Sequence, residues 1–244
     1  PNNFKFSREF YMNYTFLDFL SSDTSLNLNW HHVVQAKWIN RWLHNEFKNL
    51  MILVPPRSGK TMIASRKLPL YLDNQFPDNK VIVSTYSIGL AQSLEREFNR
   101  IHEHKNSNIR FIGAGQQLSG CGANYIIMDD MIPYCPQRQE DYTKLWQWYY
   151  SSLITRGTFG YKQLLIASRW DENDLPGNIM ELDSFTDDWI VIKFPLVAEQ
   201  GSKYRKKGEL LWNVYDNADQ IKANLGNSFN TIYQQNPIKQ VNEY

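Results

Sequence analysis

Five short apolar runs, most of them separated by longer segments, constrain the fold of this 244-residue chain more than any other feature. Each run has the length of a strand and lacks the alternation of apolar and polar residues that marks a half-exposed strand. Such runs are typical of strands that are covered on both faces. The sequence therefore predicts buried strands at Leu50–Val54, Val81–Thr85, Tyr125–Met128, Leu164–Ser168 and Ile190–Phe194.

Helical patterns lie between several of these runs. In Ser87–His104 the apolar residues recur at spacings of four, four and three, which places one apolar stripe along a helix. Further helices are predicted at His31–Phe47, Thr61–Leu72 and Glu140–Ile154. Alternating strands and helices indicate an α/β fold, with a mostly parallel sheet and helices on both faces.

The pattern changes after Pro195. A polar loop is followed there by two short helical segments, near Asp216–Leu225 and Phe229–Gln235. We therefore expect two parts. Residues 1–194 would form the core with an N-terminal helical segment, and residues 195–244 would form a small lid subdomain that ends in a linker.

Composition and charge narrow the classes of function. The net charge of +1 gives no global signature of a nucleic-acid or membrane binder, so any basic surface must be local. The basic loop Lys203–Lys207 could contact DNA phosphates or be a solvated loop.

Cys121 and Cys135 form no CxxC pair and cannot provide a disulfide framework, which favours a reducing, intracellular setting. No apolar run approaches the roughly 20 residues needed to span a bilayer.

The first apolar run leads directly into a candidate phosphate-binding loop. Met51–Thr61 reads M-I-L-V-P-P-R-S-G-K-T, and Val54 stands where the usual pattern G-x-x-x-x-G-K-[ST] has glycine. Pro55 and Pro56 have no N–H, so they can be accommodated only before the donors are needed. Backbone donors would come from Arg57–Thr61, where a helical pattern begins. This order of strand, loop and helix favours an anion-binding loop over a chance GKT.

Two acidic residues end another apolar run. Asp129 and Asp130 follow A-N-Y-I-I-M, with Asp129 lying 69 residues after Lys60 (129 − 60). Alone, the pair could be a strand-end turn with two solvated carboxylates. Together with the loop, the spacing suits an ATPase in which another strand lies between the two signature strands. The first carboxylate would then serve Mg²⁺, and the second would position and deprotonate the attacking water.

Several ordered blocks of the chain resemble the ATPase domain of the large terminase subunit, the genome-packaging motor of tailed bacteriophages. They lie between Trp30 and Pro237 and read V-P-P-R-S-G-K-T, S-T-Y-S-I-G-L-A-Q-S-L, L-S-G-C-G-A-N-Y-I-I-M-D-D-M-I, W-Q-W-Y-Y-S-S-L-I-T-R-G, A-S-R-W-D-E-N-D-L-P-G and I-Y-Q-Q-N-P. A proline-proline-arginine loop is characteristic of one branch of this family, which accounts for Val54.

The resemblance implies a P-loop ATPase of the additional-strand type that uses ATP and Mg²⁺ to translocate double-stranded DNA into a procapsid. It also implies a homo-oligomeric ring in the host cytoplasm, with the portal protein and the small terminase subunit as partners. Members of the family carry a nuclease domain after the linker. This chain stops at Tyr244, so no nuclease activity is expected of it.

The resemblance assigns roles to the loop and to the acidic pair. Lys60 would contact the β- and γ-phosphates. Thr61 and Asp129 would hold Mg²⁺, and Asp130 would be the catalytic carboxylate. Many relatives have Glu at this last position, and the shorter Asp130 must sit closer or act through water. The implied nucleotide-binding residues are Gln35, Pro56, Arg57, Ser58, Gly59, Lys60 and Thr61.

Four assignments retain a simpler alternative. Arg57 would face the γ-phosphate or be a surface arginine. Arg156 would be an arginine finger that reaches the neighbouring subunit, or a cation that complements the C-terminus of its helix. Ser168 would sense the γ-phosphate or form a strand-end turn. Gln35 would read adenine or be solvated on its helix.

Three further residues are interpreted as mainly structural. His31 and His32 have no partners at metal-ligand spacing, so they would be structural or contact the edge of the nucleotide. Asp174 matches one of the family blocks, but its position is typical of a helix cap.

The sequence is also compatible with two other functions. A helicase-like nucleic-acid translocase would share the loop and the acidic pair, but it normally needs a second recombinase-like domain for which this chain has no room. A non-catalytic nucleotide-binding scaffold is disfavoured because Lys60, Thr61, Asp129 and Asp130 are all present.

Overall fold

Six parallel strands form the centre of the structure, a computed structural model that describes residues 14–101, 107–132, 139–215 and 217–237. The strands are β1 (Asn49–Leu53), β2 (Val81–Thr85), β3 (Ile109–Gly113), β4 (Ala123–Asp129), β5 (Gly157–Ala167) and β6 (Trp189–Lys193). They form one sheet in the order β3-β2-β4-β5-β1-β6, and every pairing is parallel.

The five strands expected from the apolar runs are present, which confirms an α/β architecture with a parallel sheet. The expected burial of Ile190–Phe194 is wrong for most of β6, because this strand lies at the edge of the sheet and only its Trp189 is buried. The sixth strand, β3, is not predicted from the sequence. It is a short strand at the edge of the sheet, and the exposed Arg110 interrupts its apolar residues. β5 begins at Gly157, seven residues before the expected Leu164 (164 − 157). Its first five residues are not buried, so they carry no apolar signal.

Helices cover both faces of the sheet. The α-helices are α1 (Phe16–Ser22), α2 (Trp30–Leu43), α3 (Leu68–Gln75), α4 (Ile88–Ile101), α5 (Gln139–Trp148), α6 (Leu175–Met180), α7 (Phe185–Asp188), α8 (Ala218–Leu225) and α9 (Ser228–Ile232). Two π turns (Met62–Lys67, Tyr149–Leu153) and two 3₁₀ turns (Ile154–Arg156, Asn213–Tyr215) complete the helical segments. The predicted helix Ser87–His104 is present as α4, and its last residues lie outside the described ranges. No helix in the described ranges is both long and apolar enough to cross a bilayer.

Alternate residues of β1 show why its apolar run is continuous. Leu50 and Ile52 pack into an apolar cluster with α1, α2, α3 and α4. Met51 and Leu53 point to the opposite face and pack with α5 and α6. A strand covered in this way needs apolar side chains at every position, because neither face meets water.

The ends of three neighbouring strands meet at one edge of the sheet. β5 lies between β1 and β4. Leu53 at the end of β1 is paired with Ala167, and Asp129 at the end of β4 is paired with Ile166. Because the strands are parallel, the segments that follow them leave the sheet side by side. The segment after β1 is the GKT loop, residues 55–61.

Residues 195–237 pack on the sheet face that also carries α2. Leu196, Leu211 and Phe229 belong to the apolar cluster that covers this face of β1. The two predicted helical segments are present as α8 and α9. The closing of a lid stays a prediction, and the predicted linker, residues 238–244, lies outside the described ranges.

Candidate functional site

A cavity of about 380 Å³ opens at the edge of the sheet where β1, β4 and β5 end. This volume is typical of a site for a small molecule. The GKT loop forms one wall, and the end of β4 and the segment after β2 form others. The residues that line it include Pro56, Arg57, Gly59, Lys60, Thr61, Asp129 and Asp130. The cavity therefore brings the loop and the acidic pair together, which is the central expectation from the sequence.

Lys60 extends from the GKT loop into a set of oxygen atoms. Its Nζ lies 2.8 Å from Ser168 Oγ, 3.3 Å from the Pro55 carbonyl oxygen and 3.2 Å from Asp130 Oδ2. The first two of these contacts are hydrogen bonds, and the third is an ion pair. The side chain of Lys60 is only 6% exposed. An anion that enters the cavity must therefore compete with one of these protein oxygens for Lys60.

Ser168 connects the ends of the three strands. Its hydroxyl donates to the Val54 carbonyl at 2.9 Å and accepts from Lys60 Nζ. Its backbone N–H donates to Asp130 Oδ1 at 3.2 Å. Ser168 is buried, so these bonds are shielded from water. This predicted site residue is thus in direct contact with both Lys60 and Asp130.

Asp129 is a buried carboxylate with one unsatisfied oxygen. Its Oδ2 accepts from Ser65 Oγ at 2.7 Å, whereas its Oδ1 has no hydrogen-bond partner among the described residues. Burial raises the pKa of Asp129 to about 6. The charge of Asp130 adds to this rise, whereas the contacts with the Ser65 and Thr61 hydroxyls and the charge of Lys60 oppose it. An unpartnered buried carboxylate oxygen is costly. A cation bound at Oδ1 would satisfy it and favour the ionised form.

Asp130 and Arg57 both have strained backbone conformations. Asp130 has φ of 45° and Arg57 has φ of 64°, in the left-handed region that residues with a side chain rarely adopt. The Asp130 N–H nevertheless continues the sheet by donating to the Ile166 carbonyl at 2.9 Å. Both side chains line the cavity, and Arg57 is exposed there. Strain of this kind concentrates at functional sites.

The lining of the cavity suits a phosphate group together with a divalent cation. Arg57 and Lys60 supply positive charge next to the backbone of the GKT loop. The Thr61 hydroxyl and Asp129 Oδ1 are oxygen ligands of the kind that Mg²⁺ prefers, and Mg²⁺ is usually held by one or two protein oxygens plus phosphate oxygens. Thr61 and Asp129 could therefore hold the cation while the loop holds the anion.

Other contacts hold the GKT loop from outside the cavity. Ser58 Oγ donates to the Pro55 carbonyl at 2.6 Å and closes the turn. The Pro56 carbonyl accepts a hydrogen bond from the Tyr215 hydroxyl, which belongs to the C-terminal segment. The conformation of the loop thus depends on residues far away in the sequence.

Ser65 and Arg66 belong to the site but are not among the residues predicted from the sequence. Both lie on the π turn Met62–Lys67. In an α-helix, the residue five positions after Thr61 would be turned by about 140° from it. The π register brings residues five positions apart to the same side, so Arg66 lines the cavity together with Thr61. Ser65 lies four positions after Thr61 and reaches Asp129 without lining the cavity. The sequence M-I-A-S-R-K has no local signal that distinguishes a π turn from an α-helix.

Four predicted site residues do not line the cavity, namely Gln35, Ser58, Arg156 and Ser168, and of these Ser58 and Ser168 contact the loop and Lys60 from outside it. Gln35 is fully buried in α2, and its two amide atoms have no hydrogen-bond partner among the described residues. Arg156 directly precedes β5, at the amino-terminal end of the strand, whereas the cavity lies at the carboxyl ends. Its Nη1 donates to the Leu118 carbonyl at 2.8 Å. Their roles as adenine reader and as arginine finger stay predictions.

Asp174 is the predicted helix cap, and the structure confirms it. Its Oδ1 accepts from the Gly177 N–H at 2.9 Å at the start of α6. Both of its oxygens also accept from Arg169 Nε at 3.0 Å, and the two side chains are 0% and 4% exposed. The pair fixes the segment that follows Ser168.

Replacing Asp174 with alanine should therefore lower the free energy of unfolding by about 3–5 kcal/mol, because a buried arginine loses its charge partner. Thermal or urea unfolding followed by circular dichroism measures the change. Glu172→Ala lies in the same segment outside this ion pair, and as the control it should cost less than about 0.5 kcal/mol. Equal stability of the two variants would show that the Arg169–Asp174 pair does not hold this segment.

No protein-family model matches the chain, and no curated protein is significantly similar to it. The functional interpretation therefore depends on the geometry of the cavity and on the sequence motifs that form it.

Proposed function

We propose that this chain is the ATPase domain of a DNA-packaging motor of the large terminase type, which hydrolyses ATP to drive double-stranded DNA into a procapsid. One observation carries the proposal, namely that Lys60 contacts both Asp130 and Ser168 at the ends of three neighbouring strands. The site therefore combines a basic loop residue, an acidic pair and a buried serine, which are the groups that bind and hydrolyse a nucleoside triphosphate.

In this proposal the GKT loop holds the β- and γ-phosphates of ATP. Backbone N–H groups in such a loop bind phosphate oxygens, and Gly59, Lys60 and Thr61 all line the cavity. Lys60 donates to the Pro55 carbonyl and to Ser168, and it forms only an ion pair with Asp130, so a phosphate oxygen would take the place of Asp130 at the ammonium group. The exchange would leave the Asp130 carboxylate free to act on water.

Thr61 and Asp129 would hold Mg²⁺, which when bound neutralises charge on the phosphates. The hydroxyl of Ser65 donates to Asp129 Oδ2 and leaves Oδ1 available as a ligand. Ser65 is therefore a positioning residue for Asp129 in this proposal.

Asp130 would orient the attacking water and accept its proton. Its side chain is 29% exposed, so water can reach it inside the cavity. The Ser168 N–H holds Asp130 Oδ1 at 3.2 Å and fixes the direction of the carboxylate. Arg57, exposed in the cavity, would face the γ-phosphate. Ser168 would detect loss of that phosphate through its bond to Lys60.

The DNA-translocating part of the proposal is supported by the sequence blocks that resemble terminases. It includes duplex DNA as the translocated partner and a homo-oligomeric ring that acts in the host cytoplasm, assembled with a portal protein and a small terminase subunit. Arg156 would act on the neighbouring subunit in that ring, and Gln35 would read adenine.

Within the basic loop Lys203–Lys207, Arg205 is a poor candidate for binding DNA. It is only 9% exposed, and its guanidinium donates to the Pro195 and Leu196 carbonyls. Any DNA contact by this loop would come from its lysines.

Phosphate release from ATP by the purified chain tests the proposal. We expect slow turnover in Mg²⁺ that stops in excess EDTA, because Thr61 and Asp129 need the cation to hold the triphosphate. ATP binding without any turnover would support the scaffold alternative. Turnover coupled to the unwinding of forked DNA would support the helicase-like alternative. Absence of both binding and turnover would refute the proposal.

A further inference from the structure

Two adjacent histidines contact one carbonyl oxygen of the GKT loop. His31 Nε2 lies 3.3 Å from the Ser58 carbonyl oxygen, and His32 Nε2 lies 3.0 Å from the same atom. Both histidines are on the first turn of α2, with ring centres 3.9 Å apart. Both are buried, at 0% and 1% exposure, so water does not compete for these contacts.

The surrounding hydrogen bonds fix the tautomers of both rings. The Asn29 N–H donates to His32 Nδ1 at 3.0 Å, so Nδ1 carries no proton and Nε2 must carry one. A carbonyl oxygen can only accept, so His31 Nε2 must also be protonated to bond to Ser58. Burial lowers the pKa of His31 to about 3, and burial also lowers the pKa of His32. Both rings are therefore neutral Nε2–H donors at physiological pH.

The Ser58 carbonyl determines where the next N–H points. The described chain contains no cis peptide bond, so the Ser58 carbonyl and the Gly59 N–H point to opposite sides of their shared peptide plane. With the carbonyl directed at the histidines, the Gly59 N–H is directed away from them. Gly59 lines the cavity. The Gly59 N–H, on the side away from the histidines, is therefore the donor that this peptide can offer to an anion in the cavity.

Gly59 also shows how closely the histidines support the loop. Its φ is 84°, in the left-handed region. A Cβ atom at this position would lie 2.6 Å from His32 Nε2, which is too close for a normal contact. Only glycine allows the loop to rest directly against the His32 ring.

We propose that His31 and His32 are positioning residues that hold the Ser58–Gly59 peptide in the orientation in which the Gly59 N–H donates to a phosphate oxygen. The inference rests on the proposed function, since the ligand is the diphosphate part of ADP or ATP. The histidines act on the ligand only through the loop. Without their two donors, the peptide could rotate and present a carbonyl oxygen to the anion, which repels it.

Calorimetric titration of ADP in Mg²⁺ tests this inference. His32→Leu removes one of the donors that hold the Ser58–Gly59 peptide. ADP binding should then weaken about 10- to 100-fold, because the Gly59 N–H loses its hydrogen bond to the charged phosphate. His32→Gln keeps an N–H that can reach the Ser58 carbonyl, so it should restore binding to within about threefold. His44→Gln is the matched control, because His44 is exposed just after the same helix. Unfolding curves of each variant establish that the fold is intact.

A second measurement needs only the unaltered protein. On addition of Mg²⁺ and ADP, the amide proton of Gly59 should shift downfield in the NMR spectrum, because it enters a charge-assisted hydrogen bond. An unshifted Gly59 amide at saturating ADP would overturn the inference, even if every histidine variant failed to fold. Equal ADP affinity of folded His32→Leu and the unaltered protein, or no recovery in His32→Gln, would also overturn it. If the unaltered protein binds no ADP, the proposed function fails together with the inference.

Discussion

Replacing Lys60 with alanine is expected to reduce ATP hydrolysis at least about a thousandfold, to the background of a phosphate-release assay. Lys60 is buried between Ser168 and Asp130, where its charge would lie against the phosphates. Alanine removes that charge and leaves Asp130 without its cation. The loss should appear in the turnover rate and in ATP affinity, because the lysine would contact the nucleotide before and during the reaction.

Lys67→Ala is the matched control for this variant. Lys67 ends the π turn that follows the loop, but it pairs with Asp23 at 2.6 Å and does not line the cavity. The hydrolysis rate of this variant should stay within about twofold of the original, because the substitution removes no group from the cavity. Turnover by folded Lys60→Ala at the original rate would mean that ATP is hydrolysed elsewhere.

Replacing Asp130 with asparagine should slow hydrolysis at least about a hundredfold while ATP still binds, which is the usual range for loss of a general base. The amide has the same shape and can still contact Ser168, but it cannot accept a proton from water. Single-turnover hydrolysis and a parallel ATP titration separate the two effects. Asp130→Glu is the control, because it keeps a carboxylate and should retain more activity than the asparagine variant.

Near-normal turnover by Asp130→Asn would assign the activation of water to another group. Asp129 is the nearest alternative carboxylate, but it is 1% exposed and already accepts from Ser65. Loss of ATP binding in Asp130→Asn, with the fold intact, would instead show that Asp130 holds the substrate.

The sequence predicts those parts of the fold that depend on burial along a strand. Continuous apolar runs identify β1, β2, β4 and the second half of β5, since a strand covered on both faces needs apolar residues at every position. The apolar run of β6 also identifies a strand, although β6 lies at the edge of the sheet and only Trp189 in it is buried. The parallel sheet follows from the alternation of strands and helices. It also follows that residues after those strands, such as Asp130 and Ser168, come together at one edge.

The remaining features depend on contacts that no local pattern reveals. The edge strand β3 is too short and too exposed at Arg110 to give an apolar run. The π turn that brings Arg66 to the cavity arises from hydrogen-bond register, and the sequence M-I-A-S-R-K does not indicate that register. The contact of His32 with Ser58 joins residues 26 apart and becomes visible only when α2 is packed against the loop.

The proposed function requires that the cavity formed by the GKT loop, Asp129 and Asp130 binds the phosphates of ATP. Calorimetric titration of ATP in Mg²⁺ measures this binding, with the unaltered chain and Lys60→Ala compared side by side. We expect saturable binding of one ATP per chain, weakened at least about tenfold by the alanine substitution because a charged hydrogen bond is lost. Absence of saturable binding to the unaltered chain, or equal affinity of the two proteins, would contradict the proposed function.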